Sequence, residues 1–238
     1  MTSLPGVLSL LLAGVHLVTG EVRSFRVVPR SSWLSMAGGA SVAYVFVHIL
    51  PELKGGTVLA SVPLFFGFVE RHVYIVALFG FSLFYGLERL AQTAGDEAAS
   101  ERKADDDIFW LHIGSFTAYN ALIGYLLVHR EQPGQVNLLL YAVAMGLHFV
   151  VNDYGLREFH HQIYDRLGRW LLAGSVIVGW AIGNATEVDE AVVNTLFAFL
   201  AGGIILNVIK EELPEERQSR FWAFAAGASG YTTILLFV

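Results

Sequence analysis

Gly38-Gly39-Ala40-Ser41-Val42-Ala43-Tyr44-Val45-Phe46-Val47-His48-Ile49-Leu50-Pro51-Glu52 opens on a glycine pair, runs through apolar residues and closes on Leu-Pro-Glu. A second stretch, Gly202-Gly203-Ile204-Ile205-Leu206-Asn207-Val208-Ile209-Lys210-Glu211-Glu212-Leu213-Pro214-Glu215, is built the same way, with the spacing changed by one residue. Both are too long and too continuously apolar to be barrel strands, which alternate. Each reads as a helix able to cross the roughly 30 Å of hydrocarbon that needs about 20 apolar residues.

Working outward from these two stretches, six more apolar runs appear. The full set lies near 3–20, 33–53, 72–91, 109–129, 135–154, 168–185, 190–209 and 220–238. They take up most of the 238 residues, so the expected architecture is all-α: a polytopic membrane protein with eight transmembrane helices in a single domain, 1–238. Composition agrees. Charged residues make up 15% and apolar ones 55%, with a mean hydropathy of +0.55, against about 25% charged in a soluble domain. The first run lacks a basic n-region and reads as a retained helix rather than a signal peptide.

Lys and Arg sort by loop. Twelve of the 15 fall in the loops after spans one, three, five and seven; Lys54, Arg71 and Arg130 fall on the other side. The positive-inside rule then makes the twelve-charge side cytoplasmic and puts both termini outside, in a plasma or inner membrane. The stretch 92–107, with six carboxylates, becomes an acidic cytoplasmic loop. Trp33, Trp110, Trp170 and Trp222 fall at cytoplasmic span ends, where an aromatic belt is expected. Spans two and seven run in opposite directions in this topology, so their likeness points to an inverted repeat of the kind secondary transporters use. The absence of cysteine excludes disulfides and thiolate metal sites. A net charge of −6 argues against a nucleic-acid partner, leaving the lipid bilayer and a second copy in a homodimer as expected partners.

On these motifs the chain resembles the ZIP family of divalent-metal transporters. His48-Ile49-Leu50-Pro51-Glu52 is similar to the His-Leu-Leu-Pro-Glu that ends the family's second span, and Gly203 through Glu215 is similar to its seventh. The resemblance implies eight spans, outward termini and a 3+2+3 arrangement in which the outer triplets form an inverted pair around spans four and five. It also implies Zn or another divalent cation as substrate, with no organic cofactor and no enzymatic activity. The family's ligand motifs are largely replaced. Ser115, Phe116 and Tyr119 stand at the span-four ligand positions. On span five His148 matches the first His, Phe149 and Val151 replace the Glu and Pro, and Asn152 and Asp153 fall at the later His and Glu.

Ionisable residues inside a bilayer are costly and point to function. His148 and Asn152 share a helix face with Asp153 beside it, and a minimal divalent-metal site is His148 with Asp153, completed by His112 or Asn120 from span four. His48 and Glu52 form a candidate outer gate or entry pair; Asn207, Glu211 and Glu212 form a candidate exit. Each also has a plainer reading: an inter-helix hydrogen bond for His148, interfacial or solvated helix ends for the rest. His160, His161 and Asp165 could bind metal in the loop between spans five and six, or simply cap an interfacial helix. Glu88 and Arg89 are expected to pair with headgroups or with each other. Three functions stay open: a ZIP-like carrier moving a divalent cation inward; a non-transporting ZIP-like scaffold, sensor or regulatory protein; and an intramembrane metal-dependent hydrolase using His48, His148 and Asp153.

Overall fold

A computed structural model describes residues 4–19, 30–52, 73–97, 102–129, 134–212 and 220–237. The described residues are helical almost throughout and contain no strand. In chain order they form α1 (Leu4–Val18), α2 (Arg30–Tyr44, continued by Val45–Ile49 and Leu50–Glu52), α3 (Val73–Glu97), α4 (Arg102–Leu126), α5 (Gln135–Ile163), α6 (Arg169–Ala185), α7 (Glu190–Glu212) and α8 (Phe221–Leu236). A helical turn, Tyr164–Gly168, joins α5 to α6, so these two are arms of one bent stretch and the continuous stretches among the described residues number seven.

Each helix falls on one of the apolar runs, with two differences. The interval 92–107 is mostly helix, because α3 continues to Glu97 and α4 starts at Arg102. The interval between spans five and six is also helical, and its bend comes from one residue, His161, at φ 48° and ψ −122°. A local break of this kind leaves no mark on hydropathy. In α2 the turn Val45–Ile49 widens to π geometry just before Pro51. Proline has no N–H to give to the carbonyl four residues back and its ring crowds that carbonyl, so the helix opens there.

Ser32–Ile49, Gln135–Ala185 and Glu190–Lys210 are long and apolar enough to cross a membrane; α1 and α8 are apolar but shorter. Large apolar side chains cover the outside, among them Leu11, Leu78, Phe79 and Val178, and all four of Trp33, Trp110, Trp170 and Trp222 are exposed. The inside holds Ser9, His16, Ser41, His112, Asn120, His148, Asn152, Asp153, Asn194 and Asn207. Buried polar groups under an apolar exterior are the distribution expected of a chain solvated by lipid rather than water.

Packing and chain continuity sort the helices into two groups. One holds α1, α4 and α6, chiefly through α4–α6 and α1–α6, with α5 running on into α6 and packing on α1; the other holds α2, α3, α7 and α8, chiefly through α2–α8 and α3–α7; α5 packs across the boundary on α2. Three of these pairs share one device. A Cβ at Gly39 would fall on the Phe224 carbonyl of α8, and one at Gly227 on the Met36 carbonyl of α2. Gly80 and Gly202 meet the carbonyls of Phe199 and Ala77 in the α3–α7 pair, and Gly124 and Gly179 meet those of Val176 and Ala121 in the α4–α6 pair. Each glycine faces the carbonyl three residues before its opposite number. The backbones touch there, with Cα–H groups against carbonyl oxygens.

Between the groups the contacts are made by side chains. Phe84 of α3 packs edge-on to Tyr119 of α4 at 5.0 Å between ring centres, and Tyr141 of α5 lies between Tyr44 of α2 (6.2 Å) and Phe197 of α7 (5.8 Å). Hydroxyls donate across the boundary, among them Tyr231 to Leu140 O at 2.6 Å, Ser41 to Ala144 O at 3.3 Å and Tyr119 to Leu200 O at 3.4 Å.

Candidate functional site

Two buried polar clusters stand out. The first lies within the α1–α4–α5–α6 group and centres on His16 of α1. Asn120 Nδ2 of α4 donates to His16 Nε2 at 3.0 Å, and His16 Nδ1 donates to Asp153 Oδ1 of α5 at 2.8 Å. With Nε2 accepting, the ring proton sits on Nδ1, where the carboxylate takes it. Phe149 packs on the same imidazole at 4.3 Å. All three polar residues are buried.

The cluster is only partly satisfied. Asn120 Oδ1, Asp153 Oδ2, Asn152 Nδ2 and both ring nitrogens of His148 are buried and have no hydrogen-bond partner among the described residues. A buried acceptor without a partner costs about 1–3 kcal/mol, more when charged. One carboxylate oxygen, one amide oxygen and an imidazole are what a first-row divalent cation accepts. His148 itself is bounded by aromatic rings, Tyr119 at 5.8 Å and Phe149 at 6.4 Å. Among the described residues no group of three or more His, Asp or Glu side chains is arranged to hold a metal ion.

Sequence reasoning selects Asn120, His148, Asn152 and Asp153, all of which are buried on α4 and α5. It misses His16, which ties Asp153 to Asn120. A lone histidine inside the apolar run Leu8–Val18 is the available signal, by the same argument that picks out His148.

His112 departs from the expected set. It belongs to the second cluster, eight residues before Asn120, or about 12 Å along the helix. There His112 Nδ1 lies 3.0 Å from His160 Nε2, and His112 Nε2 lies 3.4 Å from Glu88 Oε2. Lys210 Nζ donates to the same Glu88 oxygen at 2.9 Å. Glu88 therefore meets Lys210 and His112 inside the bundle, because α3 and α7 pack together and bring a carboxylate and an ammonium side by side. His160, His161 and Asp165 do not converge: the bend at His161 sends His160 inward to His112, leaves His161 exposed, and lets Asp165 pair with Arg157 at 2.6 Å.

His48 lies in the π turn of α2 and packs on Tyr44 at 4.9 Å. Asn207 of α7 is buried, its Nδ2 without a partner among the described residues. The side chains of Glu52, Glu211 and Glu212 lie outside the described residues, as do the Leu213-Pro214-Glu215 motif and several of the basic residues used to orient the chain.

No family model matches the sequence. No curated protein matches it either.

Proposed function

We propose that this chain is an eight-span, ZIP-like integral membrane protein with both termini outside, which moves a divalent cation inward past a site formed by Asn120, His148 and Asp153 and braced by His16. The observation that carries the reading is the set of open atoms in a dry interior: Asp153 Oδ2, Asn120 Oδ1 and the His148 nitrogens. Such groups are expensive in lipid and are kept where a cavity, a partner or a ligand uses them.

The helix pairing supports the inverted repeat. Exchanging α1 with α6, α2 with α7, α3 with α8 and α4 with α5 carries the α2–α8 seam onto α7–α3, and the α4–α6 pair onto α5–α1. The glycine pairs that open the two similar motifs supply equivalent seam positions, Gly39 against α8 and Gly202 against α3. Movement of one four-helix group against the other would expose the site to alternate sides.

Calorimetry on the purified protein with Zn²⁺, Mn²⁺ and Fe²⁺ tests this reading. Saturable binding of at least one ion is expected, weakened at least tenfold by Asp153→Asn or His148→Ala. Absence of binding for all three ions overturns it.

A second reading has its own observation. Aromatic rings line His148, and no three-residue cluster of His, Asp or Glu occurs among the described residues. That favours a non-transporting ZIP-like scaffold or regulatory protein, which predicts unchanged cellular metal on deletion and a partner that co-purifies.

A further inference from the structure

The two polar clusters differ in which helices they join. The His16 cluster lies inside one four-helix group. The Glu88 cluster straddles the boundary: Glu88 and Lys210 come from α3 and α7, His112 and His160 from α4 and α5. Among the described residues the ion pairs His16–Asp153 and Glu88–Lys210 each lie within a group, and Arg157–Asp165 within the bend; Glu88–His112 crosses from one group to the other.

We infer that Glu88 and His112 form a latch that holds the two helix groups closed at the end of the bundle where α3 and α7 finish and α4 begins. Lys210 fixes the Glu88 carboxylate on one side, and His160 fixes the His112 ring on the other. Each half of the latch is thus held by its own group, and the 3.4 Å contact between them is the part that parts. The pair is buried, with side-chain exposures of 4% for His112 and 15% for Glu88, so water does not replace the contact while the groups stay together. The imidazole and the carboxylate face each other in a dry place, where little water screens the attraction between them. Phe116, one turn along α4, packs on Phe84 and lies 5.9 Å from Lys210 Nζ, sealing the contact from the side of the His16 cluster.

The inference concerns how the two groups are held and stands apart from what the His16 cluster binds. The natural absence of cysteine makes a clean test, because any cysteine introduced is the sole thiol. Ser41→Cys places that thiol on the boundary between the groups, where the native hydroxyl bonds to Ala144 O, and Ser9→Cys places it inside one group, on α1. Both serines are fully buried. Each variant is put in lipid nanodiscs, open on both faces, and labelled with a charged maleimide. Adding Glu88→Gln, or separately His112→Phe, should raise the labelling rate of the boundary thiol about tenfold and leave that of the α1 thiol unchanged. The two latch changes together should add little beyond either alone. Unaltered labelling of the boundary thiol with both latch changes overturns the latch, and so does a parallel rise at the α1 thiol, which would mean general loosening.

Discussion

The packing inside each four-helix group and the packing between the groups are of different kinds. Inside, glycines let backbones touch at α2–α8, α3–α7 and α4–α6, and there is no room for even a methyl group. Between, aromatic side chains and single hydrogen bonds fill the gap: Tyr119 and Tyr231 each reach a carbonyl across it, and Phe84 is wedged beside Tyr119. Backbone contact is geometrically stiff, because nothing in it can rotate away. Side chains can repack and hydroxyls can change partners. The difference teaches that the molecule is built from stiff helix pairs joined by softer side-chain contacts, among them the Glu88–His112 contact between α3 and α4.

The largest expected effect comes from attacking a seam. Gly179→Val would drive a branched side chain into the Ala121 carbonyl, and the enlarged group has no rotamer that avoids it, since the Cβ itself already collides. The protein should fail to run as a single species on size-exclusion chromatography, or lose at least the roughly 1–3 kcal/mol typical of overpacking in a thermal-melt assay. A native-like melt would show that the seams yield.

Next is the polar centre. His16→Leu removes the donor to Asp153 and the acceptor for Asn120, leaving a buried carboxylate with fewer partners. A loss of about 1.5–3 kcal/mol is expected from a hydrogen bond to a charged group. A double-mutant cycle with Asp153→Asn should show coupling, since the two residues share one bond. Additive losses would mean that the 2.8 Å contact carries no energy.

The boundary should be softer. Tyr231→Phe deletes the 2.6 Å bond to Leu140 O while keeping the ring, at about 0.5–1.5 kcal/mol in the same melt. Combined with Ser41→Cys it should also speed labelling of the boundary thiol, which a seam mutation of equal cost should not do. The smallest change is the control: Gly174 of α6 has open space around its Cα, so Gly174→Ala should shift stability by no more than about 1 kcal/mol and in the stabilising direction, by helix propensity. If Gly174→Ala damages the protein as much as Gly179→Val, the distinction between seam glycines and other glycines is lost.

Hydropathy alone located the apolar length of each helix, because a run of apolar residues long enough to cross a bilayer has few alternatives to being helical there, but not the polar extensions to Glu97, from Arg102 and from Asp153 through the bend. Even the π turn in α2 has a visible cause in Pro51. The bend at His161 has none: its neighbours Phe159, His160 and Gln162 continue a helical pattern, and only packing holds one residue at positive φ. For the site, polar residues in apolar runs mark His148, Asn152, Asp153 and Asn120. The same rule applied to span one marks His16 as well.

What the sequence by itself determined is the one-dimensional content: where the chain is helical, which segments are apolar, where buried charge must be accommodated, and that Gly38-Gly39 and Gly202-Gly203 head two similar segments. Tertiary structure alone decided partnership. His112 lies on the same helix as Asn120, yet it pairs with Glu88 and His160 while Asn120 pairs with His16. Residues about two turns apart on α4 face different neighbours because α3 and α5 meet it at His112 and α1 meets it at Asn120, and the order of helices around a bundle is written in no local pattern of residues.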